Sequence, residues 1–206
     1  MNRYEKNLHT RQKIMASAFE EFSEKSYGEA SLNVICSAGA ISKGIIYHYF
    51  KDKEELYLAC VQECFEALTD YLDDIVVIKD VPIEQAMASY FDARISFFGE
   101  HPHYLGVFCS AVMNPPLHLA SAISEITADF DAQTVAVLTA LLKRVKLRQD
   151  VPMEEVISAF REYQDFVNTR FQRNTYGENT LKEHEERCRR SLKILLYGVI
   201  DREVGR

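Results

Sequence analysis

Apolar residues recur at helical spacing along almost the whole chain, and no segment alternates between apolar and polar residues as a half-buried strand does. In residues 10–25, for example, Ile14, Ala18 and Phe22 follow one another at intervals of four. The pattern predicts an all-α fold of about nine helices and no sheet. We expect helices at about 10–25, 32–38, 43–49, 53–78, 83–99, 103–113, 117–147, 153–175 and 181–203.

Two short helices near the N-terminus are each preceded by a serine. Ser31 and Ser42 are suited to cap helices at 32–38 and 43–49, because a serine hydroxyl accepts a hydrogen bond from a backbone N–H of the first turn. A tight turn at 39–41 joins the two helices. Together with the helix before them, they are typical of the helix-turn-helix arrangement, whose second helix lies in the major groove of DNA.

Lys43 and Lys53 stand at the first positions of two successive helices, where the positive end of the helix dipole disfavours a cation. Asp52 is expected to cap the second of these helices, with Glu55 as the reciprocal partner in a capping box. A helix N-terminus is also an anion site, since its free N–H groups attract a phosphate. We therefore predict that both lysines contact DNA; the alternative is that both are solvated surface lysines.

Charge and composition limit the class of protein. The 206 residues carry a net charge of −7, yet residues 1–53 hold eight basic and six acidic side chains, which hints at an anionic partner for this segment. No apolar run approaches the ~20 residues that span a bilayer. The polar N-terminus and five cysteines without framework spacing favour a cytoplasmic protein.

A resemblance to a known family lies in residues 31–60, SLNVICSAGAISKGIIYHYFKDKEELYLAC. This segment resembles the DNA-binding segment of the tetracycline-repressor (TetR) family of bacterial transcription regulators. The resemblance covers about residues 10–60 and is most specific from Ile41 to Phe50 and from Lys53 to Leu56.

The resemblance implies an organisation in two domains. Residues 1–52 would form the three-helix DNA-binding domain, and residues 53–206 a larger helical domain for ligand binding and dimerisation. It implies a DNA-binding regulator of transcription, a repressor rather than an enzyme. The family usually has glycine at the position of Ala40, whereas this chain has Gly39 one place earlier, so we expect the turn to differ slightly.

Four side chains are candidates for contacts with the DNA backbone. By resemblance, Tyr47 and Lys53 bind phosphates, and Ser31 or Ser42 adds a hydroxyl contact. Such contacts fix the register of a protein on the duplex rather than its sequence preference.

Candidates for the approach to the bases lie in the same helix. Gly44 costs about 1 kcal/mol relative to alanine in a helix, and its missing side chain lets the backbone approach the duplex closely. Lys43, Ile45 and His48 are candidates for base edges, with lysine reaching guanine acceptors and isoleucine a thymine methyl group. Tyr49 is expected to pack in the core.

The last two helices carry wide apolar arcs, which need neighbours on more than one side. The resemblance implies a homodimer through these helices, which places two reading helices about 34–36 Å apart on a palindromic operator. The candidate dimer residues are Val156, Phe160, Tyr163, Val167, Leu192, Leu195, Leu196 and Val199. The alternative is a monomer with these helices in its core.

Aromatic and flexible side chains are frequent in the middle of the chain, where a small, largely apolar effector is expected to bind. The candidate ligand-binding residues are Phe65, Tyr90, Arg94, Phe97, Tyr104, Phe108, Met113 and Phe166. Ordinary core packing is the alternative for each of them. Arg94 needs a partner if it is buried, such as a ligand carboxylate or Asp165. No cofactor is expected.

An all-helical metal- or thiol-dependent protein is the alternative function. His184 and Cys188, in the segment HEERC, stand four residues apart and resemble a zinc-protease helix motif, although the surrounding charges favour a solvated face. Cys60 and Cys64 have the same spacing, and small buried hydrophobic residues are the simpler interpretation. The sequence contains no phosphate-binding loop, dinucleotide-binding glycines or nucleophile elbow.

Overall fold

The computed structural model describes residues 2–75, 81–171 and 178–199. These residues form ten α-helices and a short 3-10 helix, with no β-strand among them, which confirms the all-α fold. The helices are α1 (Arg3–Glu24), α2 (Leu32–Ala38), α3 (Lys43–Tyr49), α4 (Lys53–Ile75), α5 (Ile83–Glu100), α6 (Pro102–Met113), the 3-10 helix (Leu117–Leu119), α7 (Ala120–Ile126), α8 (Ala128–Leu142), α9 (Met153–Phe171) and α10 (Glu178–Val199). None of them combines the length and apolar character needed to cross a membrane. The predicted helix ends at 78, 175 and 203 lie outside the described residues.

The chain divides into two compact units. The first consists of Met1–Ala67 and His101–Thr127, and the second of Leu68–Glu100 and Ala128–Arg206. Helices α1 to α3, α6 and α7 belong to the first unit, α5 and α8 to α10 to the second, and α4 contributes residues to both. Neither unit ends at residue 52, because α6 packs on α1. The functional division at residue 52 stays a prediction.

The helix-turn-helix has the predicted boundaries because both serine caps form. The Ser31 hydroxyl accepts a hydrogen bond from the Asn33 N–H at 3.2 Å, and α2 begins at the next residue. The Ser42 hydroxyl accepts one from the Ile45 N–H at 3.3 Å, and α3 begins at Lys43. Each of these seven-residue helices buries one isoleucine in the first unit.

Helix α1 is longer than its apolar stripe predicts, since it begins at Arg3 and not near residue 10. The side chain of Asn2 accepts a hydrogen bond from the Glu5 N–H, and the Glu5 carboxylate accepts one from the Asn2 N–H, each at 2.8 Å. This capping box is the signal that periodicity alone misses.

The single helix predicted over 117–147 is wrong. The segment forms the 3-10 helix, α7 and α8, with a break at Thr127. The Thr127 hydroxyl lies 3.5 Å from the Ser124 carbonyl oxygen, a local contact that competes with the regular helical pattern. The break has no proline or glycine, so the sequence carries no strong signal for it. The boundary between the two units falls directly after Thr127.

Close packing of α6 on α1 depends on Gly106. A Cβ atom at this position would stand 2.1 Å from the Ser23 carbonyl oxygen and 2.4 Å from the Ser23 Cα. Because both atoms belong to the backbone of α1, a larger residue cannot be accommodated by a change of rotamer. The glycine therefore sets the distance between the two helices in the first unit.

Candidate nucleic-acid interface

Helix α3 buries one side and exposes the residues predicted to meet DNA. Ile46 is 1% exposed, whereas Ile45 is 41% and Tyr47 51% exposed. Lys43 and His48 are exposed on the same short helix. The outward face thus combines a cation, an aliphatic side chain, a phenol and an imidazole, which can bind phosphates and base edges.

Gly44 is not required by the packing of the protein. A Cβ atom built there meets nothing within 4 Å among the described residues. The residue is exposed, and its φ angle lies outside the left-handed region. A glycine inside a helix costs about 1 kcal/mol relative to alanine, so its presence calls for a reason outside the folded chain. Close approach of the α3 backbone to another molecule is such a reason.

In the turn before α3, the alanine and not the glycine has the left-handed backbone conformation. Ala40 has φ 47°, in the left-handed region that favours glycine. Gly39 has φ −78°, but a Cβ atom there would lie 2.6 Å from Ile41 Cδ1 and 2.7 Å from Ser17 Oγ. A Cβ atom at Gly39 would thus force the side chains of Ile41 and Ser17 to shift, while Ala40 adopts the strained conformation.

Lys53 does not have the unmatched charge that its position in the sequence suggests. Its ammonium donates hydrogen bonds to the carbonyl oxygens of Tyr27 at 2.8 Å and Ala30 at 3.1 Å. It also lies 4.4 Å from the centroid of the Tyr27 ring. These acceptors lie in the connection between α1 and α2, so Lys53 links the first residue of α4 to the segment that precedes α2. Lys53 is thus neither an uncompensated cation nor a freely solvated one.

The capping box predicted at the start of α4 is half formed. The Asp52 carboxylate accepts a hydrogen bond from the Glu55 N–H at 2.9 Å, as predicted. The Glu55 carboxylate, however, accepts its hydrogen bond from the Lys51 N–H at 2.5 Å and not from Asp52. Both carboxylates still lie at the positive end of the helix, where a negative charge is favourable.

The backbone N–H of Ser31 is hydrogen-bonded to a buried carboxylate that the sequence did not predict. Glu21 is 5% exposed, and its Oε1 accepts a hydrogen bond from the Ser31 N–H at 2.9 Å. The Lys25 ammonium lies 3.1 Å from the same oxygen. This pair joins α1 to the start of α2, and Ser31 itself is only half exposed.

Four of the predicted ligand-binding residues lie in the first unit, three of them in its core and Tyr104 half-buried. Tyr104 packs on Phe19, with ring centroids 4.7 Å apart, and its hydroxyl donates to Glu63 at 3.2 Å. Burial and the adjacent Glu63 raise the pKa of Tyr104 to about 12. The other three, Phe65, Phe108 and Met113, are buried in the same unit.

The second unit contains a small cavity that includes one of the predicted ligand-binding residues. Its volume is about 10 Å³. The Tyr90 hydroxyl lies 3.0 Å from the Thr134 hydroxyl, and both side chains line the cavity. The other lining residues are Met87, Phe91, Val137, Leu138, Leu141, Phe160 and Leu192, all apolar. Of the remaining predictions, Phe97 is buried in this unit and Phe166 is 54% exposed.

Arg94 has a protein carboxylate as its partner. Its Nη2 lies 2.9 Å from Glu185 Oε1, and the two side chains are 2% and 0% exposed. Burial by itself raises the pKa of Glu185, but the charge of Arg94 and a hydrogen bond to His184 outweigh burial and lower it. Glu185 is thus a partner of Arg94 that the sequence did not suggest.

The HEERC segment buries His184, Glu185 and Cys188 and exposes Glu186 and Arg187, so the expectation of a solvated face is wrong for the side that carries His184 and Cys188. His184 and Cys188 are each 1% exposed, because α10 packs on α5 and α9. His184 Nε2 lies 2.7 Å from Asn168 Oδ1, and Nδ1 lies 3.4 Å from Glu185 Oε1. Burial raises the pKa of Cys188 to about 12, which keeps the thiol protonated.

Cys60 and Cys64 are fully buried in α4. Burial, with Glu63 nearby, raises the pKa of both thiols well above the usual value, as expected for core residues rather than reactive ones. Among the described residues, no three or more histidine, cysteine or acidic side chains are grouped so as to hold a metal ion.

Most of the predicted dimer residues face the interior of their own unit. Five of the eight are buried: Val156, Phe160, Val167, Leu192 and Leu196. The other three, Tyr163, Leu195 and Val199, are half-buried. Among the described side chains of α9 and α10, the large apolar ones that are exposed are Phe166, Ile194 and Tyr197, at 54%, 63% and 44%. The assignment of the eight residues to a dimer surface stays a prediction.

Comparison of the sequence with known proteins identifies similar regulators. Residues 14–60 match the family described as bacterial regulatory proteins, tetR family. The chain is 32% identical over 109 residues to the HTH-type transcriptional regulator UidR of Escherichia coli K12, an alignment that covers 52% of this chain and 54% of that protein. It is 37% identical over 60 residues to the biofilm operon icaADBC negative transcriptional regulator IcaR of Staphylococcus epidermidis, which covers 29% and 32% of the two chains. The chain thus spans about half the length of UidR and less of IcaR.

Solved structures share the fold over most of the chain. A TetR family transcriptional regulator from Chloroflexus aurantiacus matches with a TM-score of 0.63 at 19% identity, covering 94% of both chains. FadR from Bacillus subtilis, in complex with stearoyl-CoA, matches with a TM-score of 0.66 at 17% identity, covering 91% of this chain and 98% of FadR. At these identities the likeness concerns the fold alone.

Proposed function

We propose that this chain, which belongs to the tetR family of bacterial regulatory proteins, is a transcriptional repressor. It binds a palindromic DNA operator as a homodimer, and a small, largely apolar effector releases it. The description of IcaR as a negative regulator supports the assignment as a repressor. The observation that carries the proposal is the outward face of α3, which exposes Lys43, Ile45, Tyr47 and His48 while Ile46 anchors the helix.

A binding-site selection tests the DNA-binding function. Full-length protein is incubated with random duplexes, and the enriched site is measured by fluorescence anisotropy against a scrambled duplex. We expect a palindromic site that binds at least about a thousandfold more tightly than the scrambled duplex. Equal affinity for the two duplexes contradicts the proposal.

A matched pair of variants locates the interface on α3. Ile45→Glu places a carboxylate on the outward face of α3, and we expect it to abolish operator binding by repelling phosphates. Leu117→Glu places the same carboxylate at a position that is 95% exposed in the same unit but outside the helix-turn-helix. We expect this control to bind the operator like the wild type.

Dimerisation is proposed to use the exposed apolar residues of α9 and α10. Exposed aromatic and aliphatic side chains on neighbouring helices are typical of a surface covered by a partner chain. Ile194→Glu is expected to give a monomer in analytical ultracentrifugation and to weaken operator binding, while Leu117→Glu remains a dimer. A wild-type protein that stays monomeric at micromolar concentration contradicts this part of the proposal.

The effector is proposed to bind at the cavity of the second unit, whose lining is apolar apart from the Tyr90 and Thr134 hydroxyls. The cavity is small, so an effector has to widen it on binding. Val137→Phe fills part of the cavity, and Val135→Phe adds the same volume to α8 at a position outside the lining. In a screen of apolar compounds that release the operator, only Val137→Phe should lose the response. Release that both variants retain contradicts this location.

A further inference from the structure

The first turns of α1 extend beyond the core of the first unit. Among the described side chains of the helix, the first that is buried is Ile14. The preceding residues 2–13 are referred to as the α1 extension. Apart from Thr10, which is half-buried, the described side chains of this extension are exposed. At 1.5 Å per residue the extension is roughly 17 Å long, or about three turns.

Specific contacts hold the α1 extension in place beside α3. The Tyr49 hydroxyl donates to the side chain of Asn7 and lies 3.3 Å from the Asn7 carbonyl oxygen. The Arg11 guanidinium lies 5.5 Å from the centroid of the Phe50 ring, at the end of α3. These contacts and the Asn2 capping box stabilise the exposed first turns of α1, where a helix end otherwise frays. Tyr49, expected in the core, thus joins α3 to α1.

The positive charge of the N-terminal region is concentrated on the α1 extension. Residues 2–13 contain four basic side chains and one acidic, a net charge of +3. Residues 14–53, which include the helix-turn-helix, contain four basic and five acidic, a net charge of −1. The hint of an anionic partner in the sequence therefore comes from the extension and not from α2 or α3.

We propose that the α1 extension is a second DNA-contacting element, which binds backbone phosphates flanking the bases reached by α3. The inference rests on the proposed DNA-binding function and adds an element to it. Two observations select duplex DNA as the partner: the extension is joined directly to α3 through Tyr49 and Asn7, and its charge is opposite to that of phosphate.

Lys6 and Lys13 are the side chains assigned to these phosphates. Both are exposed, and seven residues, or two helical turns, separate them, so they lie on the same side of α1 about 10 Å apart along its axis. Tyr4 is 76% exposed on the first turn, where its hydroxyl can donate a hydrogen bond to a phosphate. Contacts of this kind raise affinity for every sequence and fix the register of α3 on the duplex.

The test compares two duplexes and two variants of the full-length protein by fluorescence anisotropy at several salt concentrations. One duplex contains the selected operator with its natural flanks, and the other is trimmed to the base pairs reached by α3. The variant Lys6→Gln/Lys13→Gln removes two charges from the extension. Its control, Lys143→Gln, removes an exposed charge from the second unit. Thermal unfolding checks that both variants fold.

We expect Lys6→Gln/Lys13→Gln to bind the long duplex about tenfold more weakly. The slope of log affinity against log salt concentration should become shallower by about one for each phosphate that the variant no longer neutralises. On the trimmed duplex the variant should differ little from the wild type, and Lys143→Gln should match the wild type on both. An unchanged salt dependence on the long duplex overturns the inference and leaves the proposed function standing.

Two other outcomes also overturn it. If the wild type binds the selected operator no more tightly than the scrambled duplex, the proposed function fails, and the inference fails with it. If Lys6→Gln/Lys13→Gln keeps full operator affinity but loses binding to vesicles of anionic lipid that the wild type binds, the extension serves a membrane surface instead.

Discussion

Lys53 and Tyr27 are joined twice, since the Lys53 ammonium donates a hydrogen bond to the Tyr27 carbonyl oxygen at 2.8 Å and lies 4.4 Å from the centroid of the Tyr27 ring. A second hydrogen bond reaches the Ala30 carbonyl oxygen. The lysine therefore stabilises the folded first unit before any partner binds. Two successive helices begin with lysine, but only Lys43 presents its charge on an exposed side chain.

Lys53→Met keeps most of the aliphatic side chain but removes the ammonium. We expect a loss of about 1–3 kcal/mol in the free energy of unfolding, because charged hydrogen bonds to two carbonyl oxygens and a cation–π interaction disappear. Lys51→Met, at an exposed neighbouring position, serves as the control in urea unfolding. Operator affinity should fall without a change in its salt dependence. A Lys53→Met protein as stable as the control contradicts the structural role.

Gly44→Ala should separate stability from DNA binding. Alanine raises the helix propensity of α3, and its Cβ meets nothing within 4 Å among the described residues, so we expect the free energy of unfolding to rise by up to about 1 kcal/mol. Operator affinity should fall, because the added methyl group faces the DNA. Gly99→Ala in α5, also without close neighbours in the described part of the chain, should stabilise without affecting DNA binding. Unchanged operator affinity in Gly44→Ala argues against close approach of the α3 backbone.

The turn at 39–41 predicts opposite effects for two adjacent substitutions. Ala40→Gly relieves the strain of φ 47° and should stabilise the protein by up to about 1 kcal/mol. Gly39→Ala forces a Cβ against the side chains of Ile41 and Ser17, at a cost of about 1–3 kcal/mol. Thermal unfolding of both variants measures the difference. Stabilisation by Gly39→Ala shows that the turn has another geometry.

The boundaries of α2 and α3 were predictable because a local signal specifies each of them. Ser31 and Ser42 cap the helices through hydrogen bonds that span only two or three residues, and the periodicity places Ile35 and Ile46 inward. The exposure of the outward face of α3 follows from the same local pattern, since a side chain opposite a buried isoleucine points outward.

The partners of Lys53, Arg94 and His184 were not predictable, because each depends on a residue distant in sequence. Lys53 bonds the connection before α2, more than twenty residues earlier. The charges around His184 suggest solvent exposure, but Arg94 of α5 forms an ion pair with Glu185, and His184 and Glu185 are both buried. Sequence spacing describes one helix at a time and does not show which helix covers it.

The ion pair of Arg94 and Glu185 should behave as a unit. Arg94→Leu leaves a buried carboxylate without this cation and is expected to cost about 3–5 kcal/mol of the free energy of unfolding. Arg94→Leu/Glu185→Leu removes both charges and should be less destabilised than Arg94→Leu alone. Urea unfolding of Arg94→Leu, Glu185→Leu and the double variant measures the coupling. Additive losses contradict the assignment of the pair.

The same pair predicts a dependence of stability on pH. Because the pKa of Glu185 is lowered in the folded protein, its contribution is fully present above the ordinary value of 4.5 and is lost as the pH falls through the lower folded pKa. Glu185→Gln should therefore reduce the loss of unfolding free energy on acidification below pH 4.5. An identical acid profile in the variant contradicts the lowered pKa.

The salt dependence of operator binding by Lys43→Gln tests the account most directly, because Lys43 is the exposed cation at the tip of α3. Affinity is measured by fluorescence anisotropy on the selected operator, with Lys143→Gln as the control. We predict weaker binding and a plot of log affinity against log salt that is shallower by about one unit for each phosphate that the variant leaves without a cation. Affinity and slope equal to those of the control would contradict the assignment of α3 as the DNA-contacting helix.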